Sequence, residues 1–159
     1  MGVEYRQGGR QQYGPYEVEK RASAEYCVAG VRQQLVQVVN YDDLPVPTPQ
    51  DAVNGVIPAN SLIVAAYTYE VTAFDSTSGA TTLDVGLQEG DGTEIDNDGI
   101  DAGVITADGT AQGWTVGDGA LVGATVGAAP AYVVVTPSTA DLTAGKGYVV
   151  IEYIEVPTS

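Results

Sequence analysis

The stretch LIVAAYTYEVTAF, from Leu62 to Phe74, decides the fold class. It is rich in Val, Ile, Thr, Tyr and Phe, which suit a pleated and half-buried surface, and neither Gly nor Pro interrupts it. A strand of this length spans a sheet. Upstream, Asn54-Gly55 marks a turn and Ile57-Pro58-Ala59-Asn60-Ser61 leads into the strand. Downstream, turn residues occupy Asp75 to Gly79. Leu83, Val85 and Leu87 then alternate with Thr82, Asp84 and Gly86, the pattern of a strand with one wet face.

Further strands follow in both directions. Val31 to Pro45 predicts the first, with Leu35, Val36, Val38 and Val39 as its half-buried pattern, ending at Pro45, Pro47 and Pro49. Ala120 to Val126, Tyr132 to Thr136 and Tyr148 to Val156 predict three more, and YVVIEYIEV at the end carries the strongest β composition in the chain. Residues 88–120 read as irregular, acidic and Gly-rich, with a short Val104-Ile105 segment and Trp114 as a core plug. Six or more short strands without helical spacing indicate an all-β antiparallel sandwich or barrel.

Composition agrees. The chain has 159 residues, enough for one domain, and its 20 Gly leave few windows for a long helix. No apolar run is long enough for a membrane helix, and the first residues lack the apolar core of a signal peptide, so synthesis in the cytoplasm is expected. Met1-Gly2 is not followed by a myristoylation motif, because Arg6 stands where Ser or Thr is needed. Cys27 is the single Cys, which excludes an intrachain disulfide and a Cys-based zinc site, and it reads as a small buried hydrophobe.

The formal charge of −15 is unevenly distributed. Through Asn40, five bases face four acids; from Tyr41 onward, 17 acids face one base, Lys146, a net −16. A body so acidic is not expected to bind nucleic acid or an anionic membrane, and it should stay soluble. Residues 1–29 differ in kind. Gly8, Gly9, Gly14 and Pro15 break any periodicity, so they predict an extended N-terminal arm ahead of a sandwich domain over 30–159, with a weak alternative of a short helix over Glu17 to Glu25. Tyr5, Tyr13, Tyr16 and Tyr26 are interleaved with Arg and Lys, the composition of a segment that orders against a partner. Whether that partner is another protein or the arm's own domain is open.

Catalytic chemistry has little to work with. The chain has no His, which removes the usual general base and every Ser-His-Asp or Cys-His arrangement. Paired carboxylates are too abundant among 21 acids to point to glycoside hydrolysis. GDGALVG, from Gly117 to Gly123, lacks the spacing and the Lys of a phosphate loop and reads as a turn followed by a strand. EIDNDGID, from Glu94 to Asp101, has two open readings. It is a solvated acidic loop, or it is the first half of a calcium loop in which Ile105 replaces the closing Glu. No cofactor is expected.

LPVPTP, IPANSLIVAAYTYEVTAFDSTSGATTLDVGL and the closing GYVVIEYIEV resemble the decoration or head-fibre-type proteins of tailed-bacteriophage virions, over roughly Leu44 to Val156. The resemblance implies a β-sandwich, a jelly roll, serving as capsid cement on the particle exterior, commonly as a homotrimer bound to the major capsid protein. Within that reading the expected partner-binding residues are Tyr5, Arg6, Arg10, Tyr13, Tyr16, Lys20 and Arg21. The other open reading is a receptor- or carbohydrate-binding module of a fibre, with exposed Tyr and Trp114 as sugar-stacking platforms.

Overall fold

The computed structural model describes residues 32–44, 56–77, 81–138 and 142–155. Their seven strands are β1 (Arg32–Asn40), β2 (Leu62–Ser76), β3 (Thr81–Glu89), β4 (Glu94–Ala107), β5 (Trp114–Val116), β6 (Ala131–Pro137) and β7 (Leu142–Ile154). A 3-10 turn, Tyr41–Asp43, follows β1. All pairings are antiparallel, in a four-stranded sheet β1-β7-β2-β5 and a three-stranded sheet β4-β3-β6.

The period-2 pattern places one set of side chains from each sheet in a shared core. Leu35, Ile63 and Ile151 of the larger sheet and Leu83, Val85 and Val135 of the smaller belong to one buried cluster. Burying each such side chain contributes about 2 kcal/mol. Phe74, fully buried, lies against Gly145, where an added Cβ would sit 2.1 Å from the ring. The packing of β2 on β7 therefore requires a residue without a side chain there. The all-β sandwich expected from the sequence is the fold observed.

Three expectations are corrected. First, residues 88–120 are not mainly irregular: β4 runs for 14 residues through the acidic stretch. Its own residues favour strand poorly, but pairing with β3 supplies the ladder that local propensity does not. Val85 pairs with Asp101 and Leu87 with Asp96, so Asn97 to Ile100 bulge out opposite Gly86 alone. The bulge lies over Gly86, whose Cβ would fall 2.1 Å from the Asp96 carbonyl oxygen and 2.4 Å from the Asn97 backbone. Thr136 Oγ1 on β6 donates to Asn97 Oδ1 at 3.1 Å, which fastens the bulge across the sheet.

Second, Ala120 to Val126 is not a strand. Val122 N donates to Gly119 O and Ala124 N to Leu121 O, each at 3.0 Å, making tight turns. Its apolar residues are used all the same: Val126 is buried, and Leu121 and Val122 pack on the core. Backbone bonds from Leu121 N to Gly99 O, Gly123 N to Ile63 O and Val126 N to Ser61 O stitch this loop to β4, to β2 and to the residue that precedes β2. Third, Trp114 is not a core plug, because 65% of it is exposed. β5, which carries it, lies at the edge of the larger sheet, and Trp114 is on the outer face.

Candidate partner-binding face

The outer face of the four-stranded sheet is apolar where a solvated face would be polar. The register sets Val38, Tyr148, Tyr69 and Trp114 side by side in one row across β1, β7, β2 and β5. Val36, Val150, Tyr67 and Val116 form the neighbouring row. Directly opposed residues share a face, so all eight project away from the core. The inward positions between the rows are Gln37, Val149, Thr68 and Thr115.

Exposure follows the same geometry. Val36 is 48% exposed, Val38 41% and Val116 66%. Val150 is 7% exposed yet does not belong to the core cluster, so its outer-face neighbours cover it. The Trp114 ring lies tilted on Tyr69 with centroids 4.6 Å apart, and meets Tyr67 edge-on at 6.5 Å. These contacts hold three aromatic rings in one rigid group on the surface.

Charge frames the two rows. Arg32 and Lys146 are the only Lys or Arg among the described residues, and both strand positions are on this face. On one side, Arg32 Nη1 donates to Glu152 Oε2 at 2.7 Å. On the other side, Lys146 stands opposite Asn40 and Thr72. The two rows themselves carry no charge. The outer face of the smaller sheet is different, with Asp84 opposite Thr136, Gln88 opposite Tyr132, and the acidic β4 bulge over Gly86.

β5 needs support because it is only three residues long. Glu70, buried on the inner side of β2, provides it. Its Oε2 accepts from Gln112 N and its Oε1 from Phe74 N at 3.3 Å, while Glu70 N donates to Gly113 O at 3.2 Å. The segment entering β5 is thereby tied to β2.

The interior holds one unusual acid. Asp101 is fully buried, and neither of its carboxylate oxygens has a hydrogen-bond partner. Burial, reinforced by the charge of Asp118, pushes its carboxyl up to about 6. Among the described residues no three His, Cys, Asp or Glu converge to hold a metal ion. The calcium-loop reading of Glu94 to Asp101 is not supported, since these residues belong to β4, with Asp98 on the exposed bulge.

Tyr5, Arg6, Arg10, Tyr13, Tyr16, Lys20 and Arg21 lie outside the described residues, as does Cys27. The residues that sequence reasoning missed are the outer-face rows. A signal was present: LVQVV, LIVAAYTY and YVVIEYI are apolar at both parities, whereas a strand with one wet face alternates.

No family model and no curated protein matches the sequence. Among solved structures, a chain of the acidic stable capsid structure of Helicobacter pylori bacteriophage KHP30 superposes with a TM-score of 0.53 at 16% identity, covering 80% of this chain and 90% of that one. A chain of the cyanophage Pam1 capsid asymmetric unit gives 0.49 at 13% identity, over 80% and 86% of the two chains. One from the capsid of Ralstonia phage GP4 gives 0.47 at 18%, over 81% and 86%. At such identities the likeness is one of fold: the chain shares the β-sandwich fold of the KHP30 capsid chain over most of both chains.

Proposed function

We propose that this chain is an accessory structural protein of a bacteriophage particle, seated on the outside of the capsid as a decoration or cement protein. The observation that carries the reading is the fold likeness to the KHP30 capsid chain, which takes in most of both chains. Charge supports it. A strongly acidic body keeps a densely arrayed surface protein soluble and repels neighbours that are not bound specifically. The N-terminal segment, with Tyr5, Arg6, Arg10, Tyr13, Tyr16, Lys20 and Arg21, supplies the anchor, since Tyr and Arg are the residue types that dominate interface energetics.

The test is cosedimentation with capsids that lack the protein. The full chain should bind at a fixed copy number, and removal of residues 1–29 should abolish binding, because the Tyr and Arg of the proposed anchor go with them. Binding that survives the removal would overturn the assigned anchor, and failure of the full chain to bind would overturn the function.

A second reading is favoured by one observation, the exposed Trp114 beside Tyr67 and Tyr69. Such a group offers a stacking surface to a sugar ring, as in a receptor- or carbohydrate-binding module of a fibre. A glycan array with the wild type and Trp114→Ala separates the two readings. Glycan binding that is lost in the variant favours the second.

A further inference from the structure

The outer face of the four-stranded sheet carries two adjacent apolar rows, with Lys146 beyond one and Glu152 beyond the other. We propose that this face is the interface between two copies of this chain, related by a two-fold rotation and packed face to face with β7 over the partner's β7. The rotation axis lies in the interface, runs across the strands and passes midway between the two apolar rows, over Val149, Gln37 and Thr68.

Three observations choose a second copy as the occupant. The first is shape. The axis places each residue of one row over its neighbour in the other row: Tyr148 over the partner's Val150, Trp114 over the partner's Val116, Tyr69 over the partner's Tyr67. At β7 and β5 a large side chain thus meets a small one, as interdigitating sheets require. The second is charge. Lys146 and Glu152 lie three residues on either side of Val149, so the axis sets Lys146 over the partner's Glu152 twice. On β1 it carries Arg32 toward the partner's Asp42 in the exposed 3-10 turn. The third is that the rows are charge-free on a body with 17 acids from Tyr41 onward. Two copies therefore meet here without like-charge repulsion at the contact.

The face also sets the strength of the pair. Four strands about 4.8 Å apart, taken over the two apolar rows and the flanking positions of Lys146 and Glu152 at about 7 Å spacing, make a footprint of roughly 500 Å². That is smaller than the ~800 Å² per partner of a standard stable complex, so the pair exchanges with monomer at micromolar concentrations. The assembly is two-fold, not the trimer implied by the phage-protein resemblance, and it does not depend on the capsid reading.

Sedimentation equilibrium of the full chain tests it. The mass should rise from 16.4 kDa toward twice that value as concentration increases. Val116→Glu and Val36→Glu, both on exposed positions, should each weaken the pair at least about tenfold. Lys146→Glu should also weaken it, and combining Lys146→Glu with Glu152→Lys should restore it to within about threefold of wild type. Circular dichroism of each variant checks that it is folded. Trp114, the single Trp, reports burial directly: acrylamide quenching should fall as dimer forms.

Several results overturn the proposal: a monomer at all concentrations, a trimer mass, or a dimer indifferent to Val116→Glu. Failure of the double charge swap to restore a folded protein's association overturns the two-fold register. A monomer in which Trp114 is already shielded at the lowest concentration means that the chain's own N-terminal segment covers the face, and this too overturns it.

Discussion

Trp114 and Tyr69 pack ring on ring at 4.6 Å, yet Trp114 keeps 65% of its surface exposed. A Trp held in place but left uncovered contributes little to the fold. Replacing Trp114 with Ala should lower stability by about 1 kcal/mol or less, the scale of one aromatic pair, as read by urea denaturation. The same substitution should have a larger effect on association through the outer face than on folding.

Glu70 holds the segment from which Trp114 projects. Its two oxygens accept from Phe74 N and Gln112 N, so Glu70→Ala removes both bonds and takes the acceptor away from the buried Phe74 amide. The expected loss is about 2–3 kcal/mol, measured by chemical denaturation. A faster decay of Trp114 fluorescence anisotropy should accompany it, since β5 loses its tie to β2.

Asp101 gives the protein a pH dependence of definite sign. Its carboxyl is pushed from 3.8 up to about 6 by burial, then by Asp118. Below about pH 4 the acid is protonated in both folded and unfolded chains and costs nothing. As pH rises toward 6, the unfolded chain releases the proton while the folded chain keeps it, and stability falls. Above about pH 6 the loss levels off at roughly 3 kcal/mol, the equivalent of the shift. Asp101→Asn should remove this component of the slope between about pH 4 and 6 and be more stable than wild type at pH 7, as followed by denaturant midpoints across pH.

Gly86 is required by the β4 bulge. A methyl group there would meet the Asp96 carbonyl oxygen at 2.1 Å, and the obstacle is backbone, which cannot swing aside. Gly86→Ala should cost about 3 kcal/mol or more and broaden the thermal transition. The comparison is Gly92→Ala, at a turn position with φ of 90° but no atom within 4 Å of an added Cβ, which should lose only about 1 kcal/mol, the conformational cost.

Much of the sandwich was legible. β2, β3 and β6 stand close to where β-branched and aromatic runs, bounded by turn residues, predict them, because packing on a pleated surface is a local requirement those residues meet, whereas β7 starts at Leu142, six residues ahead of the predicted Tyr148. β4 was not legible, since Glu94, Asp96 and Asp98 have poor strand propensity and take strand geometry only where β3 offers a ladder. Leu121 and Val122 misled in the opposite sense: apolar side chains close the end of the core from a turn as well as from a strand.

The candidate face was half legible. Apolar residues at both parities of β1, β2 and β7 are written in the sequence, but periodicity cannot tell a strand covered on both sides from one left bare on one side. That depends on whether another layer exists to cover it. The register that aligns Val38, Tyr148, Tyr69 and Trp114 joins residues distant in the chain, through backbone hydrogen bonds that no local pattern encodes.

The chain alone therefore determined an all-β domain with an acidic body, because side-chain shape and charge act residue by residue. Only tertiary structure decided that Trp114 is a surface residue, that the acidic stretch is a strand, and that one sheet carries two charge-free apolar rows on its outer face, exposed among the described residues. Those properties arise from pairing between distant segments, and the sum of local preferences does not contain them.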